Sequence, residues 1–175
     1  MSWHASAVLV QADFGPDPNK LFAMLGLYNS QRRPDLDTIL WDNAEPAFTY
    51  GLGLVAYRGW TCLSGAELID VIADNRLGAL SRHANVLAWM LEGSCGYASY
   101  QWWVNGKELR HWEEMEGSVQ IDRGTPLFEQ DRLLPWQIDS EERVFAAMEH
   151  LAVPMEDLNQ RARFGSRRQF LDVSL

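Results

Sequence analysis

Cysteine, histidine and carboxylate side chains are the groups in this chain that could make or break bonds, and their spacing limits what they could do. Two cysteines occur, Cys62 and Cys95, with four histidines, His4, His83, His111 and His150. Cys95 lies in Gly93-Ser94-Cys95-Gly96 between two β-rich runs, where a thiolate paired with His83 or His111 would act as a nucleophile. A nucleophile elbow needs Gly-x-Ser-x-Gly ahead of a helix, and this segment has neither the spacing nor the helix. The histidines show no His-x-x-x-His ligand spacing, and two cysteines cannot build an all-cysteine zinc site. Asp35 and Asp37 would hold a divalent ion only if further ligands converged on them, and are read as loop-solvated. Gly51-Leu52-Gly53 lacks the third glycine and the following helix of a phosphate-binding fingerprint. The expectation is a non-enzymatic chain with no metal and no cofactor. A small cysteine- or carboxylate-dependent enzyme is the alternative, and a small-ligand-binding regulator is a third reading.

The elements that must position these groups are mostly strands. Ala5 to Phe14 reads as a first strand, and Asp17-Pro18 opens a short helix with Leu21, Phe22, Met24 and Leu25 inward. Asn29 to Asp37 reads as a polar loop, Thr38 to Trp41 as a strand, and Thr49 to Leu63 as one or two more. Ser64-Gly-Ala-Glu67 has the form of a capping box, predicting a helix to about Leu77 with Gly78 as its stop. A second capping signal, Asp139 with Glu142, starts a helix whose Val144, Phe145, Met148 and Leu151 share one side. Pro154 ends that helix and begins a further short one through Gln160.

Between these helices Asn85–Leu91, Tyr97–Val104, Lys107–Trp112 and Ser118–Asp122 form a β-meander, closed by a turn at Arg123–Pro126. Asn105-Gly106 is a strong hairpin signal, because a type I′ turn needs positive φ at both central residues. A regular ladder from that turn pairs Trp103 with Glu108, Trp102 with Leu109, Gln101 with Arg110 and Tyr100 with His111. Side-chain alternation then puts Ala98, Tyr100, Trp102, Val104, Leu109 and His111 on the core face. Ser99, Gln101, Trp103, Glu108, Arg110 and Trp112 fall on the outer face. The expected fold is α+β: a single domain over 1–175, an antiparallel meander sheet, and helices packed on one face.

With 175 residues, 47% hydrophobic and eight tryptophans, the chain can bury a full core and still spare aromatics for an interface. Its formal charge of −9 opposes nucleic-acid binding, which needs a positive field. All but one of the acidic residues lie in 1–160. The tail 161–175 is basic, with Arg161, Arg163, Arg167 and Arg168 against Asp172, and its Phe164, Phe170, Leu171 and Val173 suit folding back. Few cysteines, no basic signal region and no long apolar run point to the cytoplasm and to no membrane contact.

Gly59-Trp60, Ser64–Leu77, Asn85–Leu91, Gly106-Lys107-Glu-Leu-Arg110 and Gly124-Thr-Pro126-Leu127 together resemble a group of small bacterial α+β proteins. Proteins of this make-up are similar to immunity proteins of polymorphic or contact-delivered toxins. The resemblance implies a protein partner, a basic toxin domain whose active site is covered. From the residues, the expected partner-binding surface is Trp103 and Trp112 as anchors with Glu108, Arg110, Glu113, Glu114 and Glu116 around them.

Overall fold

The computed structural model describes residues 4–14, 19–32, 52–65, 68–73, 76–153 and 169–174. Among these residues nine strands form one antiparallel sheet: β1 (His4–Val10), β2 (Tyr28–Arg32), β3 (Leu52–Tyr57), β4 (Trp60–Ser64), β5 (Val86–Glu92), β6 (Tyr97–Val104), β7 (Lys107–Met115), β8 (Ser118–Gly124) and β9 (Gln169–Ser174). Their spatial order is β2-β9-β3-β4-β1-β5-β6-β7-β8. Among the described residues four helices accompany them, α1 (Asn19–Leu25), α2 (Leu68–Ala73), α3 (Arg76–Leu80) and α4 (Ser140–His150), with a 3-10 turn at Glu129–Arg132. The α+β class and the antiparallel meander, β5 to β8, are as the sequence predicts.

The placement of the helices is not. Alternate residues of β1 enter two different cores: Ala5, Ala7 and Leu9 join one, and Val8 and Val10 join the other. The first core packs Trp89, Tyr100, Trp102 and Trp112 against Val144, Ala147 and Met148 of α4. The second packs Leu54, Leu63, Val86 and Trp103 against α1, α2 and α3. Helices therefore cover both faces. The clue was the near-continuous apolar character of the middle strands: β4 is buried at all five positions, which a sheet wet on one side does not allow.

Three hairpins close on two-residue turns with positive φ at both centres: Arg58-Gly59, Asn105-Gly106 and Glu116-Gly117. These values suit the right-handed twist of the strands they join. Asp139 caps α4 as expected, its Oδ1 accepting from the Glu141 amide at 2.8 Å. The capping box at Ser64 does not hold. Ser64 is the last residue of β4, its buried Oγ has no partner among the described residues, and Gly78 lies inside α3 rather than after it. The start of the polar loop read over Asn29–Asp37 instead belongs to a strand, Tyr28–Arg32, that pairs with β9. Of the tail, residues 169–174 fold back as β9 between β2 and β3. The predicted elements at Thr38–Trp41 and Pro154–Gln160, and Arg161, Arg163, Arg167 and Arg168, lie outside the described residues.

The decisive local feature is in β7. Val104 faces Lys107 and Trp103 faces Glu108, but Trp102 then faces Arg110, Gln101 faces His111 and Tyr100 faces Trp112. Leu109 is an extra residue, a β-bulge, and one extra residue turns every later side chain to the opposite face. Gly124 of β8 lies alongside, at φ 88°, where a Cβ would meet the Leu109 carbonyl oxygen at 2.0 Å. Gly117 also has positive φ, at 75°, yet nothing lies within 4 Å of its would-be Cβ. Gly124→Ala should therefore destabilise well beyond the roughly 1 kcal/mol of a left-handed Gly→Ala change, and Gly117→Ala by about that amount. Urea denaturation of the two variants checks the difference, and equal losses would contradict this account of the bulge.

Candidate functional site

Because of the bulge, Arg110 points into the core beneath α4, and a guanidinium there must find an acceptor for each of its three nitrogens. It does. Nε and Nη2 grip Asp131 at 2.8 and 2.9 Å, Nη1 binds Asp122 and the Arg123 carbonyl, and the Tyr100 hydroxyl accepts from Nε at 3.2 Å. Asp131 comes from the 3-10 turn, and its Oδ2 also accepts the Leu127 amide at 2.8 Å. Burial by itself would push the Asp131 carboxyl up. The hydrogen bonds from Arg110, Tyr100 and Leu127 outweigh it and hold the carboxyl below its ordinary range. Burial, followed by Asp131, pushes the Tyr100 hydroxyl up.

A second buried arginine, Arg143 of α4, extends this network. Its guanidinium lies over the Trp112 ring at 4.7 Å and donates to the Asp131 carbonyl at 2.7 Å and the Leu133 carbonyl at 2.5 Å. Asp131–Leu133 is thus held twice, by the Asp131 carboxylate on Arg110 and by the Asp131 and Leu133 carbonyls on Arg143. Beyond the tie, Leu134-Pro135-Trp136-Gln137 is a closed turn. The Gln137 amide donates to the Leu134 carbonyl at 2.9 Å, and the Gln137 side chain accepts the Leu134 amide at 2.9 Å. Pro135 presets φ at the second position. At the third position Trp136 is 78% exposed and Leu134 is 48% exposed. Among the described residues, the exposed large hydrophobics are Leu109, Met115, Val119, Leu134 and Trp136, all from β7, β8 and this turn.

The surface predicted from sequence is dispersed by the bulge. Trp112 is buried in the core against α4, with Arg110 beside it. Glu114 is buried too, its Oε1 accepting from Ser140 Oγ at 2.7 Å at the start of α4. Trp103 is buried on the other side, in the core of α1 to α3, where its Nε1 donates to Gln101 at 3.0 Å. Neither tryptophan is the outward anchor that the regular ladder implied. Glu108 and Glu113 do share the Trp103 face, half-buried, and Glu116 is exposed in the β7–β8 turn.

On that face His111 replaces Arg110. Its Nδ1 is 2.9 Å from Glu108 Oε1 and 2.9 Å from Arg123 Nη2, and its Nε2 is 3.7 Å from Glu113 Oε2. Burial, more than any charge, holds the imidazole below its ordinary pKa. Glu108 and Glu113 work against this and Arg123 works with it. Sequence reasoning missed Asp131, Arg143, Trp136 and this histidine cluster. Gly124 and the Leu-Pro-Trp turn were the signals available for two of them.

The cysteine–histidine couple is not assembled. Cys95 sits in the exposed turn after β5 and His83 precedes the start of that strand, about 20 Å away along it. His111 faces Gln101, about 13 Å along β6 from Tyr97. Cys62 is fully buried, which pushes its thiol far up. Among the described residues, no group of His, Cys, Asp and Glu is arranged to hold a metal ion, and no helix is long and apolar enough to cross a membrane. A cleft of about 480 Å³ lies beside α1, lined by Ala12, Asp13, Phe14, Lys20, Met24 and His83. No protein-family model, curated protein or solved structure matches the chain.

Asp131→Ala leaves the Arg110 charge buried without its bidentate partner and should cost about 3–5 kcal/mol, as seen by denaturation. In the parent protein the Asp131 contribution is present above the ordinary carboxylate pKa and disappears as pH falls through the lowered folded value, so stability should drop steeply there. Asp131→Ala should flatten that acid limb. Alkylation of the native protein should modify Cys95 alone, with Cys62 reacting only after unfolding, as mass spectrometry would show.

Proposed function

We propose that this is a non-enzymatic protein-binding domain, an immunity-type inhibitor that covers the active site of a bacterial toxin. The observation carrying the reading is Trp136, an indole held in water on a closed turn that directly follows the Asp131–Leu133 segment held by two buried arginines. Hydration opposes leaving so large an apolar surface exposed, and a fixed turn loses little conformational freedom on docking. Trp and neighbouring apolar groups on a rigid support are what binding hot spots are made of.

The partner side is argued from charge. The chain carries −9, and Glu129, Asp139 and Glu142, which flank the turn in sequence, are exposed. Such a surface steers a basic partner and makes association salt-sensitive. The acidic surface expected at Trp103 and Trp112 is thereby moved to Trp136. The cleft lined by Lys20 and His83 favours a second reading, a regulator that binds a small anion. A thermal shift with a panel of anionic metabolites, abolished by Lys20→Ala, would support that reading over the first.

The test uses the protein encoded by the adjacent reading frame, expressed alone and together with this chain. Relief of growth arrest by the parent chain, with stoichiometric co-purification, is the expected result. Trp136→Ala should weaken the complex by about 30-fold or more while leaving thermal stability unchanged. Undiminished binding by Trp136→Ala removes this turn as the anchor, and failure to relieve arrest removes the inhibitor reading.

A further inference from the structure

The Glu108–His111–Arg123 contact contains a conflict that only a proton can settle. An imidazole nitrogen has one in-plane position, holding either a lone pair or a hydrogen. Arg123 Nη2 can only donate and Glu108 Oε1 can only accept, yet each lies 2.9 Å from His111 Nδ1. Both cannot be hydrogen bonds to that nitrogen at once. We infer that His111 is a proton-operated latch on the outer edge of the sheet, its Nδ1 holding Arg123 of β8 when bare and turning to Glu108 of β7 when protonated.

The two states follow from the groups around the ring. From β7, Glu108 and Glu113 face it; from β8, Arg123; from β6, the uncharged Gln101 is its cross-strand neighbour, and Tyr97 hydrogen-bonds Glu113. In the neutral ring Nδ1 accepts from Arg123, and the same guanidinium nitrogen lies 3.2 Å from Glu108 Oε2, so Arg123 bridges the two. Nε2 then carries the hydrogen, on the side of Glu113. Protonation gives Nδ1 a hydrogen as well. The ring donates to Glu108, repels Arg123, and gains attraction to Glu113.

Arg123 lies on an edge strand. β8 has β7 as its neighbour and occupies the end of the sheet order, so a tie lost on the β7 side is not replaced by another strand among the described residues. The Arg123 side chain is already 63% exposed, so little burial holds it in place and its hold on β7 rests on the His111 and Glu108 contacts. Acidification should therefore loosen the Ile121–Gly124 end of β8 while the Arg110–Asp131 pair on the opposite face stays made. The latch is independent of whether Trp136 binds a toxin.

The test is an NMR titration of the isotope-labelled parent chain from pH 8 to pH 5. It follows the His111 ring nitrogens, the Arg123 Nε–H and amide exchange along β8. One shared midpoint for His111 and Arg123 is expected, with loss of protection at Arg123 below it. Arg123→Gln should move the ring's midpoint up, because a cation that favours the neutral ring is gone, and Glu108→Gln should move it down. Both substitutions are at incompletely buried side chains, and a heteronuclear spectrum confirms that each variant is folded. An Arg123 signal that titrates apart from His111, or a ring midpoint indifferent to both substitutions, would overturn the latch.

Discussion

Alternation is the constraint on which this molecule is built, and a single extra residue at Leu109 inverts it for the rest of β7. Before the bulge, Glu108 looks to the side of α1–α3; after it, Arg110, Trp112 and Glu114 look to α4, and His111 and Glu113 take the places they would have held. A charged guanidinium is thereby committed to the interior. Everything that follows in the chain up to α4 can be read as the answer to that commitment. Asp122 and the Arg123 carbonyl arrive from β8, Asp131 arrives from the 3-10 turn, and Arg143 arrives from α4 to hold the backbone that carries Asp131.

A buried ion pair of this kind is weak evidence for extra stability, since removing two charges from water costs nearly what their attraction returns. What it supplies here is placement. Asp131 can satisfy Arg110 in one position only, with both oxygens engaged, and Arg143 then fixes the next residues through carbonyls rather than side chains. The Leu134–Gln137 turn inherits that fixity. The exposed tryptophan and the interior salt bridge are thus two ends of one mechanical connection.

Asn105-Gly106 announced its hairpin because few residue pairs accept positive φ twice, and the ladder was right for the two rungs nearest the turn. The α4 cap and the antiparallel meander were legible for equally local reasons. The faces were not, because Leu109-Arg-His-Trp-Glu-Glu offers two alternations of similar polarity and only tertiary packing chooses between them. Arg58-Gly59 and Glu116-Gly117 make the same turn as Asn105-Gly106 with first residues that do not advertise it. Helices on both faces were hidden by treating the meander alone, where outward polar residues are real, rather than the all-buried β4. The candidate site suffered most, since an aromatic's exposure depends on register, and register was wrong beyond Trp103.

One property of the topology bears on how the chain is made. β9, residues 169–174, is inserted between β2 and β3, and it provides the pairing recorded for β2. On a ribosome β2 emerges well before β9, so this pairing waits until residues 169–174 have followed. The meander, by contrast, can zip up turn by turn as it appears. β1, β3 and β4 and the β5–β8 meander can therefore pair before β9 is made, and a product ending short of residue 169 would leave the β2–β9 and β3–β9 ladders unmade.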